Sequence, residues 1–71
     1  MTTKGEDSVD NKVKEIRIKK GLSQEELANK SNISRYLISK IENGEDVNLT
    51  KNTMISISKA LEKPVIEVFM L

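Results

Sequence analysis

The side chains with the most chemistry to offer in this 71-residue chain lie between residues 35 and 43. At about 100° per residue, a helix over this stretch places three apolar side chains on one side, namely Leu37, Ile38 and Ile41. Polar and cationic side chains fall around the opposite side, and they are Arg35, Tyr36, Ser39, Lys40 and Asn43. Guanidinium, ammonium, hydroxyl and amide groups bond to phosphates and to base edges. The spacing therefore predicts a helix that packs by one side and can read nucleic acid with the other.

The residue types that the chain lacks narrow its chemistry further. It has no cysteine, which excludes disulfides and thiolate metal sites, and no histidine, the commonest general base and metal ligand. Catalysis would have to rest on carboxylates, lysine or serine in a pocket, and no such constellation stands out. We therefore expect no enzyme, no cofactor and no metal site.

The charges of the chain are unevenly distributed. The formal net charge of +1 is small for a protein whose affinity would depend on neutralising phosphates. One short stretch nevertheless holds five cations, which are Lys12, Lys14, Arg17, Lys19 and Lys20. Glu15 is the only acidic residue among them, and the second half of the chain is more acidic. This stretch is either a nucleic-acid contact or a solvated helix face.

The length suits a single domain with one core. Residues 1–8 are polar and show no periodicity, so they predict a flexible N-terminal tail and leave 9–71 as the domain. Lys4 is the only cation of the tail, which makes a minor-groove arm the weaker alternative. No apolar run reaches the roughly 18 to 20 residues of a membrane span, and no signal peptide is visible. We expect a soluble, cytoplasmic protein without a membrane partner.

Two helices are predicted before the polar face. The first runs from about Val9 to Lys20, where three apolar residues recur at helical spacing: Val9, Val13 and Ile16. Ser23 and Glu26 have the spacing of a capping box, in which each side chain bonds to the backbone N–H of the other residue. The second helix should therefore begin just after Ser23.

A tight turn separates the second helix from the third. Asn32 readily takes a left-handed conformation and can end the second helix, and Ser34 can cap the third. Gly44 is a natural stop for the third helix. Two short helices joined in this way form a helix-turn-helix, whose second helix enters the major groove of DNA.

The end of the chain combines a predicted helix with an apolar segment. Thr50 can cap a fourth helix that runs to about Leu61. Pro64 suits the first turn of a short fifth helix, although the β-branched residues after it leave a short strand as the alternative. The apolar residues of this segment are Val65, Ile66, Val68, Phe69, Met70 and Leu71. So small a monomer cannot bury them all, so core closure takes some and we expect the remainder to form a dimer interface.

From about Val13 to Phe69 the chain resembles the Cro/C1-type helix-turn-helix family, also called the XRE family, of phage repressors and bacterial regulators. Three stretches carry the resemblance: RIKKGLSQEELA at 17–28, ISRYLISKIENG at 33–44 and ISKAL at 57–61. The resemblance implies an all-α, five-helix, lambda-repressor-like domain. The chain departs from the family pattern at Asn32, usually glycine, at Lys51, usually apolar, and at Ser58, usually alanine.

The resemblance also implies roles for individual side chains. Gln24, at the start of the second helix, would touch a phosphate. The residues that would face the DNA are Ser34, Arg35, Tyr36, Ser39, Lys40 and Asn43. Among them, Arg35 suits a guanine or a phosphate, and Tyr36 suits a thymine methyl or a phosphate oxygen. Lys40 and Asn43 suit the DNA backbone.

The family pattern further implies a structural ion pair between Arg17 and Glu42. It would join the first helix to the end of the third. Removal of one partner from a buried pair costs roughly 3 to 5 kcal/mol, whereas an exposed pair contributes less than about 1 kcal/mol.

Taken together, these features predict a sequence-specific regulator of transcription, a repressor or autoregulator, that binds double-stranded DNA as a homodimer. Two-fold symmetry sets recognition helices about 34 Å apart, so the operator would be an inverted repeat. Glu45 and Asp46 would favour activation if they touched RNA polymerase, and otherwise belong to a solvated loop. The alternative is a protein-interaction module, such as an antitoxin that sequesters a toxin with its apolar tail.

Overall fold

The computed structural model describes residues 11–45, 47 and 49–69, and within them the chain forms five α-helices and no strand. The helices are α1 (Val13–Lys19), α2 (Gln24–Ser31), α3 (Arg35–Glu42), α4 (Lys51–Leu61) and α5 (Val65–Phe69). The predicted all-α fold, with its helix-turn-helix at α2 and α3, is confirmed. The predicted tail over 1–8, together with Met70 and Leu71, lies outside the described residues. No described helix is long and apolar enough to cross a bilayer.

The first helix begins later than hydrophobic periodicity predicts. It starts at Val13 rather than near residue 9, and both Asn11 and Lys12 are non-helical. The Asn11 side chain accepts from the Val13 N–H at 3.0 Å and donates to the carbonyl of Ile41 at 3.0 Å. The Lys12 N–H donates to the carbonyl of Val68 at 2.7 Å. These bonds tie the chain to α3 and α5, so tertiary contacts decide where α1 begins.

The starts of the next three helices follow local signals. Ser23 Oγ accepts from the Glu26 N–H at 3.0 Å, and Glu26 Oε1 accepts from the Ser23 N–H at 2.8 Å, which closes the predicted capping box. Ser34 and Thr50 cap α3 and α4, each by accepting from a backbone N–H three residues further on. Local sequence therefore decides where these helices begin.

Two helices end on residues in the left-handed conformation. Asn32 ends α2 with φ 61°, as predicted for asparagine at a position where the family usually has glycine. Glu62 ends α4 with φ 60°. The sequence does not indicate this left-handed conformation, because glutamate seldom adopts it. Its carboxylate accepts from Lys20 Nζ at 3.2 Å and so joins the ends of α4 and α1.

All five helices contribute to one apolar core. Its buried members are Val13, Ile16, Leu27, Ala28, Ile38, Ile41, Ile57, Leu61, Val68 and Phe69. α2 packs against α3 and α4, and α5 packs against α4 and α1. The last segment is helical rather than a strand, since the Pro64 carbonyl accepts from the N–H groups of Glu67 and Val68. α5 thus closes the core and leaves the helix-turn-helix at the surface.

Ser58 places an unpaired hydroxyl in this core. The residue is 2% exposed, and its Oγ has no hydrogen-bond partner in the part of the chain that the structure describes. We expect Ser58→Ala to raise the free energy of unfolding by about 1 kcal/mol, because an unsatisfied buried group costs about 1 to 3 kcal/mol and alanine is the better helix former. Urea denaturation measures the change.

Ser31→Ala is the matched control for this prediction. Ser31 is also buried and helical, but its Oγ donates to the carbonyl of Leu27 at 2.7 Å. The gain in helix propensity is similar while a hydrogen bond is lost, so this variant should be neutral or less stable than the wild type. A destabilised Ser58→Ala variant would show that the Ser58 hydroxyl has a favourable partner.

Candidate nucleic-acid interface

The exposed side of α3 holds the residues predicted to face DNA. Ile38 and Ile41 are buried in the core and fix the rotation of the helix about its axis. This rotation leaves Ser34, Arg35, Tyr36 and Asn43 exposed, with Ser39 and Lys40 partly exposed. The Ser34 hydroxyl is also the cap of α3, accepting from the Leu37 N–H at 3.1 Å. The structure therefore brings all six side chains to one surface, which we call the α3 face.

Lys40 is held between two neighbours on the α3 face. Its Nζ lies 2.9 Å from Oε1 of Glu45 and 5.1 Å from the centroid of the Tyr36 ring. The ammonium thus makes both an ion pair with Glu45 and a cation–π contact with Tyr36. In the free protein the charge of Lys40 is already matched by a carboxylate.

The hydrogen bond between these two side chains shifts both of their pKa values. Bonding to Glu45 raises the pKa of Lys40 above its ordinary value, and Tyr36 adds to the rise. The same bond lowers the pKa of the Glu45 carboxyl, and a side-chain hydrogen bond from Asn43 lowers it further. The pair is therefore lost only as the pH falls through the lowered pKa of Glu45 or rises through the raised pKa of Lys40. At neutral pH both groups are charged.

Sequence analysis missed the contact between Lys40 and Glu45. The sequence feature that could have indicated this contact is Gly44, which follows α3 with φ 74°. The Gly44 N–H donates to the carbonyl of Ile41, and the Glu45 N–H donates to the carbonyl of Lys40 at 3.0 Å. This bonding pattern is the Schellman motif. Because the motif folds the chain back on the last turn, the residue after the glycine lies beside Lys40.

Arg17 and Glu42 form a bidentate ion pair beneath the α3 face. Arg17 Nε donates to Glu42 Oε2 at 2.7 Å, and Arg17 Nη2 donates to Oε1 at 3.1 Å. Their side chains are 11% and 1% exposed. Arg17 Nη1 also donates to the carbonyl of Leu22 at 2.7 Å. The pair connects α1, the turn before α2 and the end of α3, so it fixes the position of α3 on the domain.

Gln24 lies in the same cluster. Its Nε2 donates to Oε1 of Glu42 at 3.1 Å, a contact that the family pattern did not indicate. A primary amide carries two N–H donors, so one remains for a further acceptor while the bond to Glu42 is kept. The structure thus holds Gln24 at the start of α2 by a buried carboxylate, and its predicted contact with a phosphate stays a prediction.

The basic stretch lines an open groove of about 330 Å³ between α1 and α5. Its lining residues are Lys12, Glu15, Ile16, Lys19, Lys20, Lys63 and Glu67. Several of these charges pair with one another, with Lys19 Nζ 4.0 Å from Glu15 and Lys63 Nζ 3.6 Å from Glu67. A nucleic-acid contact by the basic stretch stays a prediction, with a solvated helix face as its alternative. Within the described residues, no group of acidic side chains is arranged to hold a metal ion.

The predicted dimer interface is divided by the fold. Val68 and Phe69 are buried in the core of the monomer, because the helical period turns them toward α4 and α1. Val65 is partly buried, whereas Ile66 is 62% exposed. Ile18 on α1 is exposed to a similar extent, 57%. Of the described part of the predicted set, Ile66 is the side chain with most of its surface available to a second chain.

Comparison with known proteins agrees with this geometry. The family model described as helix-turn-helix matches residues 13–68, a range that takes in α1 to α4 and most of α5. Comparison with curated proteins found no match.

Two solved restriction-modification controller proteins are similar to the chain. C.AhdI from Aeromonas hydrophila is 33% identical with a TM-score of 0.76, over 82% of this chain and 86% of that one. Wild-type C.Esp1396I is 46% identical with a TM-score of 0.67, over 73% of this chain and 66% of that one. An arginine-to-alanine mutant of C.Esp1396I is 44% identical with the same TM-score, over 76% and 71%.

Proposed function

Because the chain belongs to the helix-turn-helix family of DNA-binding regulators, of the XRE or Cro/C1 type, we propose that it is a sequence-specific transcription regulator that acts on double-stranded DNA in the cytoplasm. The observation that carries the proposal is the α3 face. Six polar side chains are presented to solvent by a helix whose other side, at Ile38 and Ile41, is locked in the core. A rigid helix with this polarity fits the major groove.

The residues of the face divide into two proposed roles. Arg35 and Tyr36, in the first turn of α3, are exposed and suited to base edges, with guanine and the thymine methyl as their partners. The other four residues of the face, Ser34, Ser39, Lys40 and Asn43, together with Gln24 of α2, contact the sugar–phosphate backbone and hold the helix in register. The first turn of the recognition helix is where base contacts concentrate in this class of protein.

The size of the domain supports binding as a dimer. The described chain measures 31 × 24 × 22 Å, and it presents one recognition helix. Successive major grooves on one side of DNA lie about 34 Å apart, so a second copy is needed to reach the next half-site. We propose a homodimer that uses Val65 and Ile66 of α5, with Met70 and Leu71 added, and an inverted-repeat operator.

Ile66→Lys should yield a folded monomer. Ile66 is exposed in the single chain, so lysine there costs the fold little, whereas a charge in an apolar interface opposes association. Sedimentation equilibrium gives the mass, and circular dichroism verifies the fold. Ile18→Lys is the matched control and should stay dimeric. A monomer from Ile18→Lys and a dimer from Ile66→Lys would place the interface on α1 instead.

The proposed regulatory effect is repression or autoregulation. The solved structures similar to this chain are restriction-modification controller proteins. The burial of Val68 and Phe69 removes much of the apolar tail that the antitoxin alternative would use. The family and the similar structures are those of regulators rather than enzymes.

Sequencing of the genomic fragments that the protein retains tests the proposal. We expect one inverted-repeat sequence to be enriched, with a specific affinity about 10³-fold or more above that for scrambled DNA. Affinity should fall steeply as salt rises, because each phosphate contact releases counterions. Absence of any enriched sequence, together with tight binding to a co-expressed protein, would overturn the proposal in favour of the interaction module.

A further inference from the structure

We infer that Glu45 is a positioning residue that competes with the DNA backbone for Lys40. Its carboxylate thereby lowers the affinity of the protein for DNA. The inference rests on the proposed function, in which Lys40 contacts a phosphate. The ammonium has one close anionic neighbour in the described structure, the Glu45 carboxylate at 2.9 Å. A phosphate that approaches the ammonium is repelled by this carboxylate and has to compete with it for the charge of Lys40.

The backbone makes this competition a fixed property of the helix end. Glu45 follows Gly44 in the Schellman motif, and its N–H is bonded to the carbonyl of Lys40 itself. The backbone of Glu45 is therefore held beside Lys40, which keeps the carboxylate within reach of the ammonium. The Tyr36 ring lies on another side of the ammonium, with its centroid 5.1 Å from Nζ. In the free protein, the Lys40 ammonium therefore contacts both an uncharged ring and a charged carboxylate.

Exchange of the Glu45 carboxylate for a phosphate as the partner of Lys40 should change how DNA affinity depends on salt concentration. When Lys40 neutralises a phosphate, the condensed counterion of that phosphate is released. The Glu45 carboxylate freed in the same step recruits a cation from solution, which offsets part of the release. Because the carboxylate acts on a backbone contact, its effect should be the same for operator and scrambled DNA.

The test is Glu45→Gln, which keeps the shape of the side chain and removes its charge. Fluorescence anisotropy measures binding to the selected operator duplex and to a duplex of the same composition in scrambled order, over a salt series. We expect tighter binding to both duplexes at low salt and an unchanged ratio between them. The slope of log affinity against log salt should steepen for each protomer by less than the roughly 0.9 that one phosphate contact contributes. The gain in affinity should accordingly shrink by up to about threefold per protomer between about 50 and 200 mM salt.

Two further variants separate competition at Lys40 from a general change in charge. Glu15→Gln is the matched control, because it also removes one exposed, paired carboxylate, from α1 rather than the α3 face. Its gain in DNA affinity at low salt should be less than about a third of the gain from Glu45→Gln. In a Lys40→Gln background most of the gain from Glu45→Gln should disappear, as expected when two residues act as one unit. Circular dichroism melting verifies that each variant is folded.

Three results would overturn the inference. One is equal gains from Glu45→Gln and Glu15→Gln, and another is a full gain in the Lys40→Gln background, since each makes the effect one of overall charge. The third is weaker binding of Glu45→Gln to the operator alone, which would make Glu45 an acceptor for a base such as cytosine. A wild-type protein that does not distinguish the two duplexes would instead refute the proposed function, while the comparison on scrambled DNA would still test Glu45.

Discussion

Arg17→Ala should lower the free energy of unfolding by about 3 to 5 kcal/mol, because it strands a buried charge. Glu42 would keep a carboxylate that is 1% exposed, with the amide of Gln24 as its remaining described partner. The carbonyl of Leu22 would lose its donor as well. Natural domains are stable by about 5 to 15 kcal/mol in total, and small ones lie at the low end, so this variant approaches global unfolding. Urea denaturation followed by circular dichroism measures the loss.

Two comparisons show whether burial is the reason. Lys20→Ala removes a cation from an exposed ion pair, that of Lys20 with Glu62, and should cost less than about 1 kcal/mol. The double variant Arg17→Met, Glu42→Leu removes both charges and should recover most of the stability lost in Arg17→Ala. If Arg17→Ala cost no more than Lys20→Ala, the pair would contribute no more than a surface pair does.

Arg35→Ala should weaken operator binding by roughly 1 to 3 kcal/mol, or about 5- to 150-fold. Arg35 opens α3 and is solvent-exposed, and it makes no ion pair with the described residues. The loss therefore concerns recognition rather than folding. Isothermal titration or fluorescence anisotropy with the selected operator measures it, and circular dichroism shows that the fold is kept.

The same variant distinguishes base contact from phosphate contact. If Arg35 reads a guanine, discrimination against a changed base pair relaxes at one position of the operator. If it binds a phosphate, operator and scrambled DNA weaken equally and the salt slope falls by about 1 for each protomer. Lys59→Ala removes an exposed cation from α4, away from the α3 face, and serves as the control that should change little. Wild-type affinity and discrimination in Arg35→Ala would mean that the recognition face lies elsewhere.

Most of the fold and much of the α3 face were predictable because they depend on residues that are near one another in sequence. The capping box of Ser23 and Glu26 joins residues three apart, and the caps at Ser34 and Thr50 work over the same distance. The polar face of α3 follows from the helical period once Ile38 and Ile41 are assigned to the core. The Arg17–Glu42 pair was proposed from family resemblance, since nothing local relates residues that far apart.

The helix-turn-helix, its caps and the side chains that α3 turns outward could be predicted from the sequence, since interactions over three or four residues suffice for them. The late start of α1, with its bond from Asn11 to Ile41, and the division of α5 into buried Val68 and exposed Ile66 depend on tertiary contacts. The tertiary structure also revealed that Lys40 is already paired with Glu45. The physical reason is that side-chain partners and burial depend on how separate helices meet, or on how the chain turns beyond a helix end, which hydrophobic periodicity does not encode.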